Sequence, residues 1–205
     1  MPTQKQADYL LFRKAVLEYI KEKKHLVMSG IEELVCIRAS INLGLGNKLK
    51  ESFPEITPFP RPIIDNQRVP HGMWMAGFCA GEGSFTVNAR LLSNNKRKIN
   101  LWFKLPQHIR DANLIKGFIQ YFDGKGTYTE SLKDNMCHYN CESLSHILDK
   151  IIPFFNQYPI IGVKSKNFAD FVLVANLMKG KAHLTAKGFE QILLIKDGMN
   201  KGRKL

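Results

Sequence analysis

Twelve residues, Trp74 to Phe85 (WMAGFCAGEGSF), place one carboxylate, Glu82, among five small residues: Ala76, Gly77, Ala80, Gly81 and Gly83. Trp74, Met75 and Phe78 are apolar at helical spacing, and Ala76, Gly77, Ala80 and Gly81 lie one turn apart on another face. A helix bare of side chains on one face lets a second backbone come close. The spacing therefore predicts helix against helix, with the Glu82 carboxylate held near that seam. Immediately afterwards Phe85, Val87 and Ala89 alternate with Thr86, Asn88 and Arg90, which is strand period. Glu82 thus sits where a buried helix hands over to a half-exposed strand.

Two other groups of residues could do chemistry. Cys137, His138 and Cys141 are metal-ligating types, but their spacing matches no paired zinc pattern and no second ligand pair follows. Buried or half-buried free thiols are the expectation, and the irregular spacing of all four cysteines suggests a reducing compartment. The second group is basic and aromatic. From Lys98 to Gln107, Ile99, Leu101, Phe103 and Leu105 go to one face of a strand, and Lys98, Asn100, Trp102 and Lys104 go to the other. With Thr86, Asn88 and Arg90 of the preceding strand, they form a face open to solvent or to a ligand when helices cover the opposite side. A merely solvated charged face is the plain alternative.

The elements that must position these residues are read in order. Residues 8–24 form an amphipathic helix with Leu11, Ala15, Leu17 and Ile20 apolar. Ser29 with Glu32 reads as a capping box for a second helix running to about Asn42. Residues 43–72 carry Gly44, Gly46 and five prolines from Pro54 to Pro70, an extended linker. After the small-residue helix come a strand at Ser84 to Leu92, a turn at Ser93-Asn94-Asn95 and the Lys98 strand. A helix from Asp111 to Phe122 follows, then strands near 126–130 and 136–141. Ser143 caps a helix to Phe155 that Pro153 breaks near its end. Gly162 to Ser165 reads as a turn, and helices at 167–179 and 185–199 close the chain. The order is αββαββα plus terminal helices, an α+β architecture.

The chain also repeats itself at an offset of 158 residues. Ile20 to Gly44 lies over Met178 to Gly202, with Lys23, His25, Gly30, Asn42 and Gly44 recurring as Lys181, His183, Gly188, Asn200 and Gly202. His25 and His183 read as cap or packing residues. The terminal helices therefore occur twice, and the small-residue helix once.

Composition bounds the partner. The 205 residues are 44% hydrophobic, enough for a core, and carry a net charge of +12 spread along the chain. That favours a polyanion: DNA, RNA or, less favoured, an acidic membrane surface. A basic protein with no such partner is the plain alternative. No apolar run approaches the ~20 residues of a membrane span, and the N-terminus shows no signal or transit pattern.

Met75 to Gly83 (MAGFCAGEG) resembles the nine-residue LAGLIDADG motif of homing endonucleases. The resemblance continues through LPQHIRDANLIKGFIQYF (105–122) and IIPFFNQYPIIGVKSKNFADFVLVANLMKGKAHLT (151–185). It implies an αββαββα half-domain with a curved antiparallel sheet packed on helices, preceded by two helices and a linker. Residues 1–44 would be the terminal helices of an incomplete first repeat, 45–72 the linker, and 73–205 the LAGLIDADG domain. It implies that Ala76, Gly77, Ala80 and Gly81 pair with a second such helix, and that Glu82 binds Mg²⁺ at the scissile phosphate. Ala80 stands where the family often has an earlier Asp, a structural position.

By the same resemblance Lys164 is the active-site lysine. Lys104 falls where the family has a polar residue, often Gln, and Gln107 is a family-typical glutamine. Thr86, Asn88, Arg90, Lys98, Asn100, Trp102 and Lys104 would face nucleic acid. Thr3 falls about where a first half would have its lysine. The implied activity is metal-dependent, site-specific cleavage of duplex DNA by a half that needs a second LAGLIDADG half or self-association, in a mitochondrion or other organelle. A non-catalytic RNA-binding descendant, an intron maturase or a component of an organellar ribonucleoprotein, is the alternative from another class. A purely structural interaction module is a third.

Overall fold

The structure is a computed structural model describing residues 2–93 and 96–203. Strand β1, Ser84–Leu91, pairs antiparallel with β2, Arg97–His108. The alternation seen in the sequence sets their register. Phe85 faces Phe103, Val87 faces Leu101 and Ala89 faces Ile99 on the buried side. The hairpin closes through Leu92 N–H to the Lys96 carbonyl, 2.9 Å; Asn94 and Asn95 of the expected turn lie outside the described residues. Strands β3, Thr127–Ser131, and β4, Met136–Cys141, complete one antiparallel sheet in the order β1-β2-β4-β3. Asn135 takes the left-handed conformation, φ 52°, that the tight turn before β4 requires.

One face of this sheet is packed by helices. Helix α4, Gly72–Glu82, precedes β1, and α5, Ala112–Tyr121, buries Leu114, Ile115 and Phe118. The core is strongly aromatic: Phe85 stacks on Phe103 at 5.1 Å, and Phe155 and Phe171 meet Phe85 edge-on. After β4 the chain is helical from Leu144 to Gln157: α6, Leu144–His146, a π segment Ile147–Ile151, and α7, Ile152–Gln157. Pro153 was expected to break this helix. It instead sits in the first turn of α7, directly after the π segment. A π turn widens the hydrogen-bond ladder where proline has no N–H to offer, so the helix runs on. Ser143 accepts from the His146 N–H, as expected of a cap.

Helices α8, Val163–Lys179, and α9, Ala186–Asp197, close the unit. The expected turn at Gly162 to Ser165 is shorter than read: Gly162 alone turns, at φ 86°, and α8 begins at Val163. Lys164 therefore stands in the first turn of a helix.

By its contacts the chain divides into two compact units, Met1–Gln67 and Arg68–Leu205. The first holds α1, Lys5–Lys14, continued by a π segment Ala15–Ile20, then α2, Met28–Ala39, and a short α3, Asn47–Ser52. The linker was expected to be extended. Its proline-free stretch Asn47–Ser52, with good helix formers, makes one helical turn and a half. The rest is extended and packs: Phe59 lies on a small core of Leu11, Tyr19 and Ile37, its N–H donating to the Cys36 carbonyl at 3.0 Å.

The internal repeat is present in the backbone. Lys23 and Lys181 both adopt left-handed φ, 58° and 57°, each before a 3-10 turn and then a helix, α2 or α9. A Cβ on Gly30 would stand 2.0 Å from the Lys24 carbonyl oxygen, and one on Gly188 2.1 Å from that of Ala182. Glycine is needed at both because the 3-10 turn folds back onto the helix start. The capping box at Ser29 does not form. α2 starts at Met28 after Val27, with no side-chain cap, whereas the counterpart Thr185 accepts from Gly188 N–H at 3.0 Å. The turn fixes the start of each helix, whichever side chain stands at its N-cap. His25 Nδ1 lies 3.2 Å from the Tyr19 carbonyl, a local cap.

Among the described residues no helix is long and apolar enough to cross a membrane. Cys79, Cys137 and Cys141 are buried free thiols and Cys36 is half-buried. His138 alternates to the face opposite Cys137 and Cys141 along β4, and no group of three His, Cys, Asp or Glu gathers among the described residues.

Candidate active site at the end of the small-residue helix

Helix α4 is fixed at both ends. At its start His71 Nδ1 accepts from the Met73 N–H at 3.1 Å, and the Tyr158 ring lies where a Cβ on Gly72 would be. Met75 and Cys79 face the core, and Trp74 stacks on Phe78 at 5.0 Å. The four residues expected to form one pairing face divide. Gly77 and Gly81 are open, with nothing within 4 Å of a built Cβ, whereas Ala76 is buried and Ala80 half-buried. The bare stripe is narrower than the sequence suggested, because i, i+4 spacing puts the two glycines together and turns Ala76 about 100° away from Gly77.

Glu82, exposed, is the last residue of α4. A carboxylate there is at the wrong end of the helix dipole, beside carbonyls left without intrahelical donors. The structure supplies a cation to that end. Lys164 Nζ, from the first turn of α8, donates to the carbonyls of Cys79 at 3.2 Å and Gly81 at 3.0 Å. Burial holds the Lys164 ammonium below the ordinary lysine range, and the neighbouring Glu82 carboxylate acts in the opposite direction. Burial also pushes the Cys79 thiol well up, so it is a neutral packing group. Glu82 and Lys164, 82 residues apart in sequence, are thereby gathered at one helix end.

Gly83 carries the chain directly into β1, and the register places Ser84 opposite Lys104. The open face of the sheet then runs away from Glu82 in pairs: Thr86 with Trp102, Asn88 with Asn100, Arg90 with Lys98. All seven expected contact residues share it. Lys104 Nζ lies 4.2 Å from the centre of the Trp102 ring, a cation–π contact that holds the ammonium over the sheet. The face continues beyond β2 onto β4 and β3. Lys104 is opposite Asn140 and Asn140 opposite Thr127, while His138 is opposite Thr129. The alternation in Met136–Cys141, with Cys137, Tyr139 and Cys141 buried, was the signal for these.

Gln107 is not brought to this cluster. It lies three residues beyond Lys104, roughly 10 Å along β2, opposite Cys137, with Oε1 accepting from the neighbouring His108 N–H at 2.9 Å. Thr3 is likewise not the counterpart of Lys164. At the 158-residue offset α1 and α8 begin at Lys5 and Val163, so Gln6 takes that place.

The model of the LAGLIDADG endonuclease family matches residues 75–175. The I-GzeII LAGLIDADG homing endonuclease, solved in complex with its DNA target, is 41% identical, covered to 70% by this chain, with a TM-score of 0.93 over 100% of the chain. The chain belongs to the LAGLIDADG homing endonuclease family. The I-SmaMI LAGLIDADG homing endonuclease, bound to cleaved DNA, superposes with a TM-score of 0.94 at 41% identity, over 98% of this chain and 67% of that one; it has also been solved on an uncleaved target in the presence of calcium ions. Probable intron-encoded endonucleases 3 and 2 of Neurospora crassa are 35% and 33% identical over 94% and 96% of this chain. The chain spans only 36% and 44% of their lengths. The family match begins at Met75 within α4, and the four-stranded antiparallel sheet with its helices is the LAGLIDADG fold.

Proposed function

We propose that this chain works as a homing-type endonuclease on double-stranded DNA, hydrolysing phosphodiesters with Mg²⁺ once a second LAGLIDADG half is in place. The observation that carries the proposal is the meeting of Glu82 and Lys164 at one end of α4, beside the polar face of β1 and β2. In this reading Glu82 binds the metal. Lys164 and Lys104 meet phosphate charge, and the face from Thr86 to Lys104 lies in the major groove. Gln107 keeps a proposed contact further along the site.

The donor set suits Mg²⁺. This cation keeps several waters and is held by one or two carboxylates with substrate phosphates, not by a protein cage. One exposed carboxylate with no His, Cys, Asp or Glu cluster among the described residues fits that mode. When bound, Mg²⁺ polarises phosphoryl oxygens. The lysine's part is electrostatic: its ammonium, already anchored on two carbonyls, offers its remaining proton to a phosphate oxygen with little reorganisation.

Each strand of the duplex needs its own acid, and α4 carries one. Two surfaces support a second half. One is the bare Gly77 and Gly81 stripe. The other is on the first helix pair, where Tyr9, Val16, Leu17 and Ile31 are exposed while their counterparts Asn167, Val174, Ala175 and Phe189 are buried in the second unit. In the same reading residues 1–44 are the terminal helices of that other repeat, 45–72 the linker and 73–205 the LAGLIDADG domain. A mitochondrial or other organellar setting belongs to the proposal and is supported only by the intron-encoded relatives. The endonuclease names of those relatives, and the DNA held by the solved ones, favour duplex DNA over an RNA-binding role.

The test is cleavage of a plasmid library with randomised sites by the chain mixed with a second LAGLIDADG half in Mg²⁺. Linear product is expected, and Glu82→Gln should reduce it to nicks at most. Unchanged double-strand cleavage by Glu82→Gln removes the proposal.

A further inference from the structure

The two helix pairs share a backbone but not their outer surface. On the first pair the outer groove is filled by the chain itself: Phe59 sits on Leu11, Tyr19 and Ile37, with Ala15 at the edge. On the second pair the same groove is open. It is a cleft of about 290 Å³ lined by Leu173, Asn176, Leu177, Gln191 and Ile195. At the 158-residue offset Leu173, Leu177 and Ile195 are the counterparts of Ala15, Tyr19 and Ile37. Leu173, which lines the cleft, is 54% exposed.

The backbone acceptor is duplicated as well. In α2 the Ser40 N–H goes to the Ile37 and Arg38 carbonyls, leaving the Cys36 carbonyl to take the Phe59 N–H. In α9 the Gly198 N–H goes to the Ile195 and Lys196 carbonyls, so the Leu194 carbonyl is presented in the same way.

One element of the groove has changed sign. Two residues after Phe59, Arg61 donates to Asp8 at 2.6 Å, and to the Ser40 and Gln4 carbonyls. The counterpart of Asp8 is Lys166, which is exposed.

From these three correspondences we propose that the Leu173–Leu177–Ile195 groove is a docking site for an extended segment of a partner protein. That segment carries an aromatic side chain for the cleft, donates its N–H to the Leu194 carbonyl, and has an acidic residue two positions later facing Lys166. The aromatic requirement follows from the apolar floor, the extended backbone from the single outward carbonyl, and the acidic residue from charge complementarity. This surface is separate from the motif helix and from the polar sheet face, and the inference does not rest on the nuclease reading.

The probes are two synthetic peptides titrated against the full chain by fluorescence anisotropy. One has the chain's own sequence from Glu55 to Ile64, and the other is the same peptide with Arg61→Glu. The Arg61→Glu peptide should bind about fivefold more tightly than its parent, because it exchanges a like-charge contact with Lys166 for an opposite one. Phe59→Ala in that peptide, or Leu173→Lys in the protein, should each weaken binding about tenfold. Leu173 is more than half exposed, so its substitution leaves folding intact, which circular dichroism checks. Equal affinity of the two peptides, binding that survives Leu173→Lys, or no binding at millimolar peptide overturns the proposal. Survival in Leu173→Lys would mean that the peptide merely exchanges with Phe59 in the first groove.

Discussion

The α1–α2 pair and the α8–α9 pair are built on the same turns, and they bury opposite sides. Leu11, Tyr19, Val35 and Ile37 are buried in the first pair, where their counterparts Ala169, Leu177, Leu193 and Ile195 are exposed or half-exposed. Phe171, Val174 and Ala175 are buried in the second, where Arg13, Val16 and Leu17 are exposed. Helix starts and the intervening left-handed residue are decided by local backbone chemistry, a glycine that must yield to a carbonyl and a lysine in the αL region. Which side becomes interior is decided by what the rest of the chain brings to it: a sheet in one case, an extended linker in the other. Local geometry is inherited as a unit, while burial is assigned afterwards by neighbours.

The largest expected effect breaks the comparison at its core. Phe171→Ala should cost about 3–5 kcal/mol in a denaturant titration, since it empties an aromatic cluster, whereas Arg13→Ala at the counterpart position should stay within about 0.5 kcal/mol. Comparable losses at both would mean the pairs are packed alike. Next come the paired glycines. Gly188→Ala should lower stability by about 2–3 kcal/mol, because a backbone carbonyl must move, and Gly30→Ala should lower the melting of the first unit in the same sense. A silent Gly30→Ala would break the equivalence of the two turns. The caps come third: Thr185→Ala should cost about 1 kcal/mol, and Val27→Thr should gain up to about that amount.

The smallest effect is at Lys164, on the order of 1 kcal/mol on Lys164→Met for two charge-assisted hydrogen bonds at a partly exposed site. Gln6→Met should show nothing. The pH dependence carries a sign. The folded-state value of Lys164 lies below its unfolded value of 10.5, so in the interval between them the unfolded chain binds more protons. Stability relative to Lys164→Met should therefore rise with pH through that interval. A fall would mean that the ammonium is not desolvated against α4.

Much of the fold was legible because it rests on period and punctuation. The alternation from Ile99 to Leu105 specifies both the register and the solvent face of β2, and the repeat from Ile20 to Gly44 specifies the closing helices. Three misreadings share a cause: a local signal was outweighed by a neighbouring backbone event. Ser29 has capping chemistry, but the turn at Lys23 starts the helix two residues earlier. Pro153 has breaking chemistry, but a π segment absorbs it. Gly162 makes a turn, and a single residue suffices, so Lys164 belongs to a helix. At the site, the sequence pattern located Glu82 and the open face from Thr86 to Lys104. Family resemblance, not pattern, pointed to Lys164. Neither could show that its ammonium closes the end of α4, since that contact spans 83 to 85 residues. The opposite burial of the two helix pairs was also hidden, because both faces of each pair carry apolar residues.

The clasp between Lys164 and the carbonyls of Cys79 and Gly81 gives one side chain two employments. It ties the opening of α8 to the close of α4, and it stands beside the only acid on that helix. Under the proposed nuclease role, a descendant that gave up cutting DNA would still be under pressure to keep this lysine, simply to hold its frame together. In such a lineage Glu82, which ties no two elements of the described fold together, is the residue whose loss would record the end of the proposed catalysis.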